Sequence, residues 1–306
     1  MKIYINREPV QGPWGGGNKS VTLLVNKLGE LGHTVVYQLE PEIDVIFCID
    51  PRQNNHGEWY QTFLDYRQRH GVKIIQRVGD IGTHGKPDLT QLVMQSTAHS
   101  DFIIFPSDWA RKAISYQKKN YAIIKNRSIG KFHEHKSTTV KIDASNVKIV
   151  THHWSTNPKK GFKIYEELGR DLSIPGINVK VTYIGRIPDN FNLGNIDYIS
   201  PKDDDFLAHE LPKHDIYLTA SEHEAGANHV LEAAACGLPI LYHELGGSIP
   251  EYVAEFGTEY SDVESLKMGI IEMVKNYSFY KQRTLEYDEI LDRSIDGYCQ
   301  IICQVT

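Results

Sequence analysis

Short apolar runs alternate with longer amphipathic segments along the whole chain. In the first part of the chain, runs of strand length lie at 2–6, 34–38, 45–49, 72–76, 102–105 and 122–124. Helix-length segments lie between them, for example at 20–31 and 58–70. Strands that alternate with helices are typical of a parallel sheet covered on both faces. The first part of the chain therefore predicts one Rossmann-like domain.

A second series of the same kind begins near residue 146. Its strands are predicted at 147–151, 179–184, 216–219 and 240–243, and its helices at 161–172, 206–211 and 227–236. The polar stretch 130–145, which has little periodicity, separates the two series. We therefore predict two α/β domains, at 1–144 and 145–306, with a final helix at 279–305 as a candidate to pack back on the N-terminal domain.

The position of a ligand site follows from this fold class. An open parallel sheet binds its ligand at the carboxyl ends of its strands. Two such sheets that face each other would form a cleft between the domains. We expect the functional site in that cleft.

Composition and charge exclude several classes of protein. The 306 residues are 41% hydrophobic and 24% charged, which is ordinary for a globular protein. A net charge of −6 argues against a nucleic-acid partner. Four cysteines are too few for a disulfide framework and indicate a reducing compartment. The chain opens on a strand-like segment, and no apolar run approaches the ~20 residues that span a bilayer. We expect a cytoplasmic protein, or one that lies peripherally at a membrane.

The most informative segment follows the strand predicted at 216–219. A loop that contains Glu224 and Gly226 leads into a helix that carries Glu232 and stops at Gly237. The backbone N–H groups at the start of this helix, at 225–228, and the helix dipole favour an anionic or hydroxyl-rich ligand. Carboxylates beside them can accept hydrogen bonds from sugar hydroxyls. Further on, Ser248-Ile-Pro-Glu predicts a capping box and another helix.

This segment is similar to a known motif. The run Ser-Glu-His-Glu-Ala-Gly-Ala-Asn-His-Val-Leu-Glu-Ala-Ala-Ala-Cys-Gly-Leu-Pro-Ile at 221–240, followed by Gly-Gly-Ser-Ile-Pro-Glu-Tyr-Val, resembles the donor-binding motif of family-4 retaining glycosyltransferases. The two-domain layout extends the resemblance, more weakly, over most of the chain. The resemblance implies the α/β fold called GT-B, with two Rossmann-like domains facing across a cleft. It also implies a retaining enzyme that moves a sugar from a nucleoside-diphosphate sugar to an acceptor hydroxyl, without a cofactor and without a metal.

The resemblance assigns roles to the residues of the motif. Glu232 would hold the ribose hydroxyls of the nucleotide sugar. Glu224 would bind hydroxyls of the donor sugar and take part in catalysis. The backbone would lie against the sugar and the diphosphate at the small-residue turn, Ala225, Gly226, Ala227 and Asn228.

A second segment matches the family with one departure. At 150–161 the sequence is Val-Thr-His-His-Trp-Ser-Thr-Asn-Pro-Lys-Lys-Gly, where the family carries an arginine and a lysine that neutralise the donor diphosphate. Lys160 fits the lysine position and is a predicted catalytic residue, but Ser155 stands at the arginine position. Lys159 or Arg186 would then supply the charge. His152 and His153 could contact the nucleotide, line the cleft or pack at the strand end.

The N-terminal glycine-rich loop supports two interpretations. In the resembled family, Gly15, Gly16 and Gly17 would face the donor phosphates and the acceptor, with Asn18 as a further contact. The alternative is a P-loop nucleotide hydrolase, since Gly12 and Gly17 are spaced as in a P-loop and Lys19-Ser20 follows. However, one inserted residue would rotate Lys19 by ~100° around the helix. A sugar-nucleotide-binding protein without activity is a third interpretation, because of Ser155.

Acceptor contacts are predicted in the N-terminal domain. Arg77, Asp80 and His84 follow a predicted strand and should lie where an acceptor docks, as a saccharide or a lipid-linked molecule. The run 111–136 carries eight Lys/Arg and one Glu, so it is a candidate for contact with an anionic membrane. The triplet 203–205 of aspartates is interpreted as a helix start rather than a metal site.

Overall fold

The computed structural model describes residues 1–10 and 16–306, which form two α/β units. One unit comprises Met1–Asn126 and Leu291–Thr306, and the other comprises Arg127–Ile290. The division falls at 126/127, where the sequence predicted 144/145. The segment between these positions belongs to the C-terminal unit because Phe132 is fully buried in the apolar core of that unit. Ser137 also donates its backbone N–H to Cys236 at 2.9 Å.

The N-terminal unit is built on a six-stranded parallel sheet of order β2-β1-β3-β4-β5-β6. Its strands are β1 (Lys2–Ile5), β2 (Thr34–Val36), β3 (Val45–Cys48), β4 (Lys73–Arg77), β5 (Phe102–Phe105) and β6 (Tyr121–Ile123). Its first four helices are α1 (Gly16–Glu30), α2 (Tyr60–His70), α3 (Pro87–His99) and α4 (Asp108–Ala113).

The central strands of this sheet are buried on both faces, as expected for parallel strands covered by helices. Every residue of β3, with the sequence Val-Ile-Phe-Cys, is buried. Helix α1 packs Leu24 and Leu28 inward, and α2 packs Phe63 and Tyr66. Helix α2 ends at a glycine with φ +74°, whose N–H bonds back to Arg67.

The C-terminal unit contains a second six-stranded parallel sheet, of order β12-β11-β10-β7-β8-β9. Its strands are β7 (Val147–His153), β8 (Val179–Gly185), β9 (Asp197–Ile199), β10 (Ile216–Thr219), β11 (Ile240–His243) and β12 (Gly257–Tyr260). Its α-helices are α5 (Lys131–Glu134), α6 (Phe162–Arg170), α7 (Asp204–Glu210), α8 (Asn228–Ala235), α9 (Ile249–Val253), α10 (Val263–Lys275) and α11 (Tyr277–Leu285). Two 3₁₀ turns lie at Pro158–Lys160 and Leu211–Lys213.

Two strands of this sheet were not predicted from the sequence. Strands β9 and β12 lie at the two edges of the sheet. Their sequences, Asp-Tyr-Ile and Gly-Thr-Glu-Tyr, are short and half polar because an edge strand is only partly buried. Such segments lack the continuous apolar run that marks the central strands.

The C-terminal region is divided into two helices where the sequence predicted one. Helix α11 ends at Leu285 and α12 (Leu291–Val305) follows after residues 286–290. Helix α12 lies in the N-terminal unit, where Ser294 donates its hydroxyl to the Lys125 carbonyl at 2.8 Å. Its Tyr298 ring lies 6.2 Å from Phe47 of β3. Among the described residues, no helix combines the length and apolar character that a membrane crossing requires.

Candidate functional site

Three loops meet at the carboxyl ends of β7, β10 and β11 in the C-terminal unit. Backbone hydrogen bonds join them into one surface. The N–H of Glu222 donates to the carbonyl of Lys159 at 2.8 Å, and the N–H of His223 donates to Leu245 at 2.7 Å. A third bond runs from the N–H of Ser248 to the carbonyl of Glu224 at 2.9 Å. The loop that carries Glu224 is therefore held on both sides.

Two glycines allow this close approach of the loops. Gly161 has φ +76°, and a Cβ atom there would lie 2.1 Å from the carbonyl oxygen of Ala220. Gly247 has φ +73°, and its Cβ would lie 2.6 Å from the backbone nitrogen of Glu224. Both positions require a residue without a side chain, since left-handed backbone and lack of space coincide there.

The structure brings together the two residues predicted as catalytic. The Lys160 ammonium lies 2.5 Å from a carboxylate oxygen of Glu224, and the two side chains are only 13% and 11% exposed. A charge-assisted hydrogen bond in such a sheltered place is strong. This ion pair fixes both side chains at the surface formed by the three loops.

The residues around the missing arginine have other partners. Ser155 accepts a hydrogen bond from the backbone of Asn157 at 3.1 Å, inside the turn that precedes Lys160. The Lys159 ammonium lies 2.6 Å from Glu222, so its charge is balanced. The guanidinium of Arg186 stacks over the Trp154 ring at 5.0 Å. The sequence did not predict the partners of Lys159 and Arg186 because these partners lie far from them along the chain.

Glu232 forms a second buried pair, with His152 at the end of β7. The His152 Nε2 atom lies 2.9 Å from a Glu232 oxygen, and the side chains are 8% and 14% exposed. A carboxylate can only accept, so Nε2 carries the proton that it shares with Glu232. The Nδ1 atom lies 3.1 Å from the hydroxyl of Tyr217. Burial raises the pKa of Tyr217 well above its usual range, which keeps the phenol protonated. His152 therefore holds Glu232 in place.

His153 belongs to a buried network behind this surface. Its Nε2 atom lies 2.6 Å from the hydroxyl of Tyr165, which accepts a hydrogen bond from the backbone of Ala220 at 3.0 Å. The phenol therefore connects the end of β7 to the end of β10. Burial, aided by the neighbouring His229 and Lys160, holds the pKa of His153 well below its usual range. His153 is neutral in the folded protein.

This buried neutral histidine predicts a loss of stability in acid. The unfolded chain binds a proton near the ordinary histidine pKa of 6.5, and the folded chain does not, so stability is lost as the pH falls below that value. We expect His153 to contribute a slope of up to ~1.4 kcal/mol per pH unit. The free energy of unfolding can be measured by urea denaturation between pH 7.5 and 5.5. It should fall less steeply with decreasing pH in His153→Gln than in the exposed control His209→Gln. Equal slopes in the two variants would contradict the prediction.

The small-residue turn leads directly into α8. Ala227 has an extended backbone, and the helix starts at Asn228, with Ala225 and Ala227 buried. Gly226 lies between these two alanines on the same surface. The helix ends before Gly237, which has φ +83°, so the predicted helix stop is confirmed.

The predicted capping box at Ser248 is wrong. The Ser248 backbone is helical, with φ −76° and ψ −10°, and its side chain makes no cap hydrogen bond. A capping residue needs an extended backbone. At Ser248 the backbone N–H is instead bonded to Glu224, which fixes the backbone in another conformation.

The other predicted contacts lie in the N-terminal unit. Gly16, Gly17 and Asn18 form the first turn of α1, while Gly15 lies outside the described residues. Gly12 of the P-loop alternative lies outside them as well. The Asn18 amide makes two hydrogen bonds of 2.8 Å with the backbone of Val10, so it holds that backbone against the start of α1. His84 lies in the loop between β4 and α3.

The aspartates and the basic run have structural partners. Asp203 accepts a hydrogen bond from the backbone of Phe206, which confirms the helix start at this triplet. Among residues 1–10 and 16–306, no group of three or more His, Cys, Asp or Glu is arranged to hold a metal ion. In the basic run, Arg111 pairs with Asp108 at 2.7 Å, and Lys131 pairs with Asp205.

Two Rossmann-like units with parallel sheets define the GT-B fold, and solved structures share it. Sucrose-phosphate synthase from Thermosynechococcus elongatus is 13% identical, with a TM-score of 0.69 over 100% of this chain and 99% of that chain. The Anabaena protein HepE, solved in complex with UDP-glucose, is 11% identical, with a TM-score of 0.71 over 99% of each chain. WaaG, a glycosyltransferase involved in lipopolysaccharide biosynthesis, is 15% identical, with a TM-score of 0.63 over 99% of each chain.

A match to a family model covers most of the unit that carries the site. Residues 159–286 match the family model of glycosyl transferases group 1. The match includes Lys160, Glu224 and Glu232. No curated protein matches the chain.

Proposed function

We propose that this protein is a retaining glycosyltransferase that moves a hexose from a nucleoside-diphosphate sugar to an acceptor hydroxyl. The observation that carries the proposal is the sheltered pair of Lys160 and Glu224, beside the N-terminus of α8 and inside the segment that matches the family. A cation and a helix N-terminus at one surface suit a diphosphate. A carboxylate at the same place suits a sugar.

The donor would lie across the three loops. Glu232, oriented by His152, would accept the ribose hydroxyls. The backbone at 225–228 would lie against the diphosphate. Lys160 would turn part of its hydrogen bonding from Glu224 to the phosphate oxygens, and Glu224 would accept hydroxyls of the sugar instead. The HepE complex with UDP-glucose supports a nucleoside-diphosphate sugar as the class of donor.

The chemistry requires that negative charge be stabilised on the departing diphosphate. Preorganised donors, here the Lys160 ammonium and the α8 N–H groups, stabilise such charge with little reorganisation. We propose that the departing phosphate accepts the acceptor proton during attack on the same face, which would retain the anomeric configuration. Under this proposal the enzyme uses neither a metal nor a cofactor. The acceptor is a saccharide or a lipid-linked molecule, and the enzyme acts in the cytoplasm, with peripheral membrane contact through its basic run.

A metal-free thermal-shift panel tests donor binding. The panel contains UDP, GDP, ADP, CMP and their common sugars, with Mg-ATP alongside. A ligand at a hundredfold excess over its Kd stabilises the folded state by ~2.7 kcal/mol. We expect one nucleoside diphosphate to raise the Tm of the wild type by several degrees and to leave the Tm of Glu232→Ala unchanged. Glu255→Ala, at an exposed position near α9, is the control and should shift like the wild type.

The panel also separates the alternatives. A shift with Mg-ATP alone, retained in Glu232→Ala and lost in Lys19→Ala, would support the P-loop hydrolase and refute the glycosyltransferase. Binding of a sugar nucleotide without transfer to any acceptor in a wide set would support the inactive binding protein, which Ser155 favours. Transfer with inversion, measured by NMR of the product anomer, would refute retention.

A further inference from the structure

A small polar cavity lies at the carboxyl ends of β3 and β4 in the N-terminal unit. Residues 49–52 and 76–80 line it, together with Leu89 and Val93 of α3. Its volume is about 30 Å³, enough for one or two water molecules or for the oxygens of a small anionic group. In open α/β sheets, this edge is where ligands bind. The sequence predicted acceptor contacts at Arg77 and Asp80, which line this cavity, but it did not indicate which chemical group they would bind.

Arg77, the last residue of β4, is a buried cation that lines this cavity. Its side chain makes one hydrogen bond, from Nη2 to the Asn126 amide oxygen at 2.9 Å, and the residue is only 8% exposed. Among the described residues, no carboxylate lies within ion-pair distance of its guanidinium. A Cβ atom at Gly79 would lie 2.6 Å from Nη1, so the glycine makes room for the guanidinium.

A guanidinium offers five N–H donors in a planar fork that suits a carboxylate or a phosphate. One neutral partner leaves most of this capacity unused, and burial of a charge without a counterion is costly. A side chain that only supported the fold would be expected to have a carboxylate beside it. The position of Arg77 therefore points to an anion that comes from outside the chain.

The other charges around the cavity leave an excess of cations. Arg52 and Arg7 share one carboxylate, that of Asp50, at 2.6 Å and 3.2 Å. Burial by itself would raise the pKa of the Asp50 carboxyl. The hydrogen bonds from Arg52 help to lower this pKa below its usual value, so Asp50 is ionised. Asp80 is occupied by Lys86 at 2.8 Å. Two arginines thus share Asp50 and a lysine pairs with Asp80, so among residues 1–10 and 16–306 neither acid of the cavity lining lies within ion-pair distance of Arg77.

We propose that this cavity binds an oxyanion, a phosphate or a carboxylate, through the guanidinium of Arg77 with support from Arg52. If the protein is a glycosyltransferase, on which this second step rests, the oxyanion belongs to the acceptor. The acceptor is then a phosphorylated or acidic saccharide, or a lipid phosphate, rather than a neutral sugar. The oxyanion site itself does not depend on the identity of the donor.

Thermal unfolding with sodium phosphate tests the oxyanion site. Sodium chloride at matched ionic strength is the reference, because phosphate also stabilises proteins non-specifically. We expect phosphate to raise the Tm of the wild type by a few degrees more than chloride does. Because the proposed donor surface at Lys160 could also bind phosphate, the variants of Arg77 are made in the Lys160→Ala background. The excess should persist in Lys160→Ala, be reduced when Arg77→Lys is added, and disappear when Arg77→Met is added. Loss of the excess in Lys160→Ala alone, or its survival in the double variant with Arg77→Met, would overturn the site.

The stability of the variants distinguishes a binding role from a structural one. Without phosphate, Arg77→Met should keep or raise the Tm, because an unpaired buried charge has been removed. Arg67→Met is the matched control in the same unit, since Arg67 bonds to the His99 carbonyl at 2.7 Å and to Asp101 at 3.3 Å. The control should lower the Tm. A larger loss of Tm in Arg77→Met than in Arg67→Met would assign Arg77 to the fold and refute the proposal.

Transfer assays test the assignment to the acceptor. Glucose, glucose 6-phosphate and glucuronate serve as binding probes in calorimetry, and the acceptor found by screening is then used for kinetics. We expect the two anionic sugars to bind and glucose not to bind, and the anionic sugars should bind ~10- to 100-fold more weakly to Arg77→Met.

In the transfer assay, Arg77→Met should raise the KM of the acceptor by a similar factor and leave the donor KM and the kcat unchanged. Efficient transfer to a neutral acceptor, with equal KM in Arg77→Met, would refute the assignment. Loss of donor binding in the nucleotide panel would instead refute the proposed function.

Discussion

Replacement of Lys160 by alanine is expected to lower the kcat of sugar transfer by on the order of a hundredfold or more. The reason is that Lys160 supplies the sheltered positive charge next to α8, and a preorganised donor of this kind contributes ~3–4 kcal/mol to stabilisation of the transition state. The measurement is steady-state transfer with the donor identified in the thermal-shift panel. Near-normal turnover in a folded variant would remove Lys160 from the mechanism.

Two controls make this result specific to Lys160. Lys159→Ala removes the adjacent lysine, which is 40% exposed and paired with Glu222, and should change kcat little. Lys160→Ala also leaves Glu224 buried without its partner, which destabilises the fold. The double variant Lys160→Ala/Glu224→Gln removes both charges and should recover stability without recovering activity. Recovery of both would mean that Lys160 acts only by neutralising Glu224.

Replacement of Gly161 by alanine is expected to destabilise the C-terminal unit by about 3–5 kcal/mol. The new methyl group would lie 2.1 Å from the carbonyl oxygen of Ala220. The contact is with backbone, so no change of rotamer relieves it, and the left-handed φ of +76° adds to the cost. We expect the Tm to fall by about 10 °C in calorimetry.

Gly176→Ala is the matched control for this prediction. Gly176 has nearly the same φ, +75°, but a Cβ atom there would meet nothing within 4 Å. Gly176→Ala should therefore lower the free energy of unfolding by only ~1–2 kcal/mol, the cost of a left-handed backbone at alanine. Equal destabilisation in the two variants would show that the loop after β7 moves away from Ala220 at little cost.

The sequence predicted the strands that are continuous apolar runs and failed where strands are short and half polar. The central strands are continuous apolar runs because both of their faces are covered. The edge strands β9 and β12, which are short and half polar, were missed. The division at 126/127 depends on Phe132, a residue in a polar stretch whose packing partners lie far along the chain. The break between α11 and α12 was missed because residues 286–290 contain neither glycine nor proline.

The sequence by itself determined which residue types stand at the ends of the strands. The spacing of Glu224 and Glu232, the glycines and Lys160 are properties of short segments, so they could be found without tertiary information. Local patterns carry such signals because a motif is fixed by a few neighbouring positions.

Only the tertiary structure decided which of these residues are partners. Lys160 meets Glu224, and His152 meets Glu232, because different loops end at the same edge of one sheet. Arg77 illustrates the same limit. The sequence places it at a strand end but does not show that, in the part of the chain the structure describes, no carboxylate lies beside it. Ion pairs and buried charges are set by contacts between residues that are distant in sequence, and these contacts exist only in the folded chain.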